Sequence, residues 1–203
     1  QVPTTVSASD EAIEDFLKRY QKAVNSSKLN ARLLGIHLEG PYLSEDKKGA
    51  HQLDQLKVPS ISTMKRWIET FPFISRVTIA PELDRDFELG KLLNYFGINA
   101  SIGHSNAYGH IIHEAIENGY TSFTHLYNAM SSVMSVDGKK EAGVAEMALL
   151  EKTTYAEIIA DGHHVPKELI QLAYRIKTAD YLIGVSDCLS PAGSIESRYY
   201  LGS

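Results

Sequence analysis

Five short apolar runs in this chain each end on a residue of the metal-ligand or acid/base kind. Leu33–Leu38 ends on Glu39 and then Gly40-Pro41. INASIGHS ends on His104, TSFTHLYNAM carries His125, AEIIADGHHV ends on Asp161 and His164, and LIGVSDCLSPAG carries Asp187. A buried strand that stops on an acid or an imidazole needs a partner for it or a use for it. In parallel α/β folds the carboxyl ends of the strands are where chemistry is done.

The stretches between these runs read as helices. Ile13, Phe16, Leu17, Tyr20 and Val24 recur at helical spacing after a capping Ser9 or Asp10. Further helices are predicted at Ile61–Phe71, Phe87–Phe96, Ile111–Asn118, Val144–Leu150 and from Pro166 to about Lys177. Strands are predicted at Thr4–Ala8, Leu33–Glu39, Arg76–Ala80, Ile98–His104, Thr121–His125, Tyr155–Asp161 and Tyr181–Asp187. Gly40–Pro59 and Asn128–Glu141 are left as two long loops, a place where function concentrates. Strand–helix alternation with strands apolar on both faces predicts a parallel α/β fold. A doubly wound sheet and a (β/α)8 barrel both fit it. Active residues spread over many strand ends favour the barrel, and seven strands point to one lacking a unit.

Composition narrows the partners. A net charge of −5 over 203 residues argues against nucleic acid or an anionic membrane surface. No apolar run reaches the roughly 18 residues of a membrane span, and no basic-then-apolar leader opens the chain. The lone Cys188 excludes an internal disulfide, so a cytoplasmic setting is expected. One domain over residues 1–203 is the simplest organisation.

Glu39, His104 and His125 together are a ligand set for zinc or another divalent metal, with a position left for water. Singly, each has a plainer role in hydrogen bonding or capping. His37 shares a pleat face with Glu39 and is a rival ligand. Asp187 suits a general acid/base beside a metal-bound water, or else a helix cap. His110 and His113 fall on an outer helix. KKGAH (Lys47–His51) and DGKKEAG offer lysines and backbone amides to an anion, and Asn128 and Ala129 offer amides to a substrate.

HLEGPYL, KKGAH, GHSNA, THLYNAM, ADGHHV and VSDCLSPAG, in this order, resemble the N-acetylglucosamine-6-phosphate deacetylases of the amidohydrolase superfamily, over about four fifths of the chain. The resemblance implies a (β/α)8 TIM-type barrel with a small β-sandwich, and a homodimer. It implies Glu39, His104 and His125 as ligands of a divalent metal, usually Zn2+ with Fe2+ possible. It implies Asp187 as catalytic acid/base. Ala50, His51, Asn128, Ala129 and His164 stand at the positions that meet the sugar phosphate, and His164 also at the developing oxyanion. Lys140 stands where the family usually has a phosphate-binding arginine, and lacks the bidentate fork. The family's first barrel strand and its sandwich strands have no counterpart here. The expected reaction is hydrolysis of the acetamide of N-acetylglucosamine 6-phosphate. The galacto isomer or another amide is the nearest alternative, and an inactive barrel that only binds a sugar phosphate or a partner chain is the alternative of another class.

Overall fold

A computed structural model describes residues 1–25, 31–189 and 191–192. Six parallel strands form the main sheet: β1 (Ile36–Glu39), β2 (Ile74–Ile79), β3 (Asn99–Ile102), β4 (Tyr120–Phe123), β7 (Tyr155–Ile159) and β8 (Leu182–Val185). They lie side by side in chain order, β1-β2-β3-β4-β7-β8. A doubly wound sheet reverses its order at a switch point; this one never reverses, which is the progression of a barrel. Helices α1 (Asp10–Val24), α2 (Ile61–Thr70), α3 (Glu88–Tyr95), α4 (Gly109–Glu117), α5 (Val144–Leu150) and α6 (Lys167–Tyr181) complete the alternation.

The two faces of the sheet differ in chemistry. Ile36, Leu38, Val77, Ile79, Ala100, Ile102 and Phe123 join Leu17, Met64, Trp67, Leu93 and Ile112 of the helices in one buried apolar cluster. The alternate residues are polar and bond to one another across the opposite, concave face. Arg76 of β2 and Glu157 of β7 form an ion pair there, although β3 and β4 stand between their strands. In a flat sheet those strands would be about 14 Å apart, so the pair spans a strongly curled sheet. Asn99 Oδ1 accepts from Arg76 Nε at 3.2 Å and from Ser122 Oγ at 2.6 Å.

Helix signals in the sequence hold well. Ser9 caps α1 by accepting the Ala12 N–H at 3.2 Å. Ile13, Leu17 and Tyr20 are buried, while Val24 at the end of the stripe is exposed. The last helix breaks at Thr178, whose φ is 60°, one residue beyond its expected end.

Two expectations are corrected. Thr4–Ala8 is not a strand: it makes one parallel bridge, Thr4 to His37. Its later polar groups are drawn elsewhere, Thr5 Oγ1 to the Glu39 N–H at 3.2 Å and the Ser7 N–H to His51 Nδ1 at 3.0 Å. Nor is Asn128–Glu141 all loop. It contains an antiparallel ribbon, β5 (Met134–Val136) with β6 (Lys139–Glu141). Asp137 (φ 49°) and Gly138 (φ 79°) make its turn, the Asp-Gly pairing that two-residue hairpins favour.

The curl yields a stability prediction. Arg76→Met leaves Glu157 buried and unpaired, and should cost about 3 kcal/mol in urea unfolding. Adding Glu157→Met should recover most of that loss.

Candidate metal centre

Glu39 is the last residue of β1, and its side chain shares the concave face with His37. His104 and His125 each lie two residues past a strand end, after Ile102 and Phe123. Strand alternation would send both imidazoles to the helix side with those apolar residues. It fails to because the backbone turns left-handed at the two histidines themselves, with φ 47° at His104 and 30° at His125. Such a conformation costs a non-glycine residue on the order of 1 kcal/mol or more. Hydrogen bonds hold it: the His104 carbonyl accepts the Ser44 N–H at 2.9 Å, and the His125 carbonyl accepts the Asn128 N–H at 3.0 Å. The Glu82 carboxylate clamps the next turn, accepting from Ser105 Oγ and the Asn106 N–H, both at 2.6 Å.

The three groups converge. His125 Nε2 is 2.8 Å and His104 Nε2 3.1 Å from Glu39 Oε1, and the two nitrogens are 3.0 Å apart. His104 Nδ1 lies 2.8 Å from the Lys47 carbonyl. That carbonyl only accepts, so Nδ1 carries a hydrogen, and in the neutral ring Nε2 offers its lone pair. His125 Nδ1 is buried without a hydrogen-bond partner, which leaves its tautomer to whatever meets Nε2. Three electron-rich atoms this close repel unless a cation or a proton lies between them. Burial alone would push the Glu39 carboxyl up, but the bonds to His104 and His125 outweigh it and hold the group well below the usual range. Burial pulls His125 down, and Glu39 more than restores it. Two imidazoles and a carboxylate in this arrangement fit a divalent cation.

His51 is a competing third ligand, since its ring also lies within 4.8 Å of ligand atoms of Glu39 and His104. Its tautomer argues otherwise. Nδ1 accepts the Ser7 N–H at 3.0 Å and meets Ser7 Oγ at 2.8 Å, so Nε2 bears the hydrogen. Burial first, then His104, pushes its pKa down to about 4. His51 is therefore a neutral donor beside the site, and His125, with the shorter approaches, is the better third ligand. His37, the rival in the sequence, spends Nε2 on Thr78 Oγ1 at 2.6 Å.

These residues open into a cavity of about 780 Å³ that also takes in Ala50, Asn128, Ala129, His164 and Asp187. Asp187 is exposed at its mouth and left-handed, φ 46°. His164 Nδ1 lies 2.7 Å from Asp161 Oδ2, and the Asp161 carboxylate also accepts the His163 and His164 backbone N–H groups. Those bonds from His164 and His163 pull Asp161 far down. Asn128 Nδ2 donates to the His125 and Leu126 carbonyls at 3.2 Å. Lys140 is apart from this group: it sits exposed on β6, its Nζ 2.8 Å from Ser135 Oγ, and it does not line the cavity. His113 pairs with Glu151 on the surface. The supporting groups Thr5, Ser7 and Glu82 are absent from the sequence reading, because ordinary residues far along the chain leave no local signal of what they touch.

No family model matches the chain. It is 36% identical over 186 residues to the N-acetylglucosamine-6-phosphate deacetylase of Bacillus subtilis, covering 91% of this chain and 46% of that protein. It is 35% identical over 167 residues to an N-acetylgalactosamine-6-phosphate deacetylase of Shewanella sp. (strain ANA-3), covering 82% and 41%. A variant N-acetyl-D-glucosamine-6-phosphate deacetylase of Mycobacterium smegmatis, solved with N-acetyl-D-glucosamine-6-phosphate, superposes with a TM-score of 0.88 at 29% identity, over 98% of this chain and 51% of that one. The chain thus spans about half the length of the relatives it matches.

Gly103, just before His104, tests how tightly the site is built. A Cβ there would lie 2.8 Å from both Thr124 Cβ and Thr78 Cγ2. Gly103→Ala should lower stability by about 2 kcal/mol in urea unfolding, as overpacking does.

Proposed function

We propose that this chain, which belongs to the family of N-acetylglucosamine-6-phosphate deacetylases, carries a hydrolytic metal site acting on the acetamide of an N-acetylated amino-sugar 6-phosphate. The observation that carries this reading is the convergence of Glu39, His104 and His125 within 3.1 Å at the floor of a cavity faced by Asp187 and His164. Zinc is the favoured ion for two imidazoles and a carboxylate. When bound, it would polarise the amide carbonyl and lower the pKa of a water. Asp187 would accept a proton from the attacking water as the new C–O bond forms and deliver it to the departing amine as the C–N bond breaks. The products are acetate and the amino-sugar phosphate. His164, held through Nδ1 by Asp161, lines the cavity and would donate to the developing oxyanion. His51 Nε2–H, Asn128 and the backbone at Ala50 and Ala129 bind and orient the sugar phosphate.

Lys140 fits this scheme through a second copy of the chain. Exposed on a ribbon outside its own cavity, it would meet a neighbour's phosphate in a homodimer. A cytoplasmic location suits the substrate and the lone cysteine; among the described residues no helix is long and apolar enough to cross a membrane. The galacto substrate is a second reading, supported by near-equal identity to the Shewanella relative, 35% against 36%.

Metal content by elemental analysis tests the site. About one zinc or iron per chain is expected, lost in Glu39→Gln; well-folded protein without metal after zinc is supplied would overturn the reading. Acetate release measured with both hexosamine phosphates should discriminate the substrates. Asp187→Asn should keep its metal and lose turnover by at least about a hundredfold.

A further inference from the structure

Beneath the three candidate ligands, the concave face carries a chain of buried polar side chains that the reaction scheme leaves without a use. His37 Nε2 is 2.6 Å from Thr78 Oγ1, Thr78 Oγ1 is 2.7 Å from Thr124 Oγ1, and Thr124 Oγ1 is 2.7 Å from Ser101 Oγ. All four residues are buried, Thr78 and Ser101 completely. They come from β1, β2, β3 and the end of β4. Barrel interiors are usually filled by branched apolar residues. A polar layer here would be costly if any member lacked a partner, and each has one.

The layer meets the ligands at one point. Gly103 and Thr124 immediately precede His104 and His125. They pack against each other so closely that a Cβ on Gly103 would lie 2.8 Å from Thr124 Cβ. Thr124 Oγ1 is bonded on both sides, to Thr78 and to Ser101, which fixes its rotamer and the peptide leading into His125. The distance between the two imidazoles therefore depends on how Thr124 is seated.

We propose that this hydroxyl chain, with Thr124 at its centre, is a positioning floor for the metal site: it holds His104 and His125 at the spacing that binds the cation. The proposal rests on the metal-site reading above. Thr124 is a positioning residue that does not line the cavity.

The test compares Thr124→Val, which keeps the branched shape and removes the hydroxyl, with Thr124→Ser, which keeps the hydroxyl. Zinc affinity of the full chain is measured by competition with a chelating dye, and thermal unfolding of the metal-free chain is measured alongside. Thr124→Val should bind zinc about tenfold more weakly, the loss typical of groups that orient ligands, while Thr124→Ser stays close to the parent. Both variants lose some thermal stability, so only the affinity separates positioning from packing. Ser101→Ala, at the end of the chain and less disruptive, should weaken zinc severalfold and serves if Thr124→Val does not fold. Unchanged affinity in Thr124→Val, or in Ser101→Ala where that variant stands in, would overturn the positioning role and leave the metal site intact. A parent chain that binds no zinc would overturn the metal reading, and this proposal with it.

Discussion

Strand alternation is the constraint on which this site turns. Successive side chains on a strand point to opposite faces, and in a curled parallel sheet one face belongs to the helices. A ligand set drawn from several strand ends must nevertheless point to the concave side. Glu39 does so by parity, two residues after His37. His104 and His125 do so only because each takes a left-handed backbone, at φ 47° and 30°. That conformation is unfavourable for any residue with a Cβ, and the surroundings sustain it through the Ser44 and Asn128 amides and the Glu82 carboxylate. The strain falls on the same residues that are the candidate ligands.

The electrostatics follow from that geometry. With the Lys47 carbonyl accepting from His104 Nδ1, Nε2 faces a carboxylate oxygen 3.1 Å away. Such a cluster attracts positive charge. His51, with a similar ring in nearly the same place, is turned by Ser7 into the opposite kind of group, a donor. Hydrogen bonds on the far nitrogens thus separate a candidate ligand from a donor among neighbouring imidazoles.

Barrel order was legible in outline. Apolar strands alternating with amphipathic helices have few packing solutions, and Ile13, Leu17, Tyr20, Met64 and Ile68 declare their buried faces by spacing alone. The Thr4–Ala8 segment starts as a strand would, with the Thr5 N–H on the His37 carbonyl, but by Ser7 the amide has turned to a histidine ring, and β-branched residues look the same in either case. The ribbon at Met134–Glu141 carried an Asp-Gly signal that two three-residue strands were too short to reinforce.

By itself, the sequence determined which residues are chemically able to act and that they stand at strand ends: Glu39, His104, His125, His164 and Asp187 are legible because acids and imidazoles closing apolar runs are conspicuous. Only the tertiary structure decided which of them meet. It brought both His125 and His51 against Glu39 and His104, spent His37 on Thr78, set Lys140 outside the cavity of its own chain, and seated Thr124 against Gly103 before the histidines. The physical reason is that a ligand is defined by the direction of a lone pair. That direction depends on backbone torsions and on partners such as Ser7, Lys47 and Thr78, which lie 44, 57 and 41 positions from the imidazoles they orient.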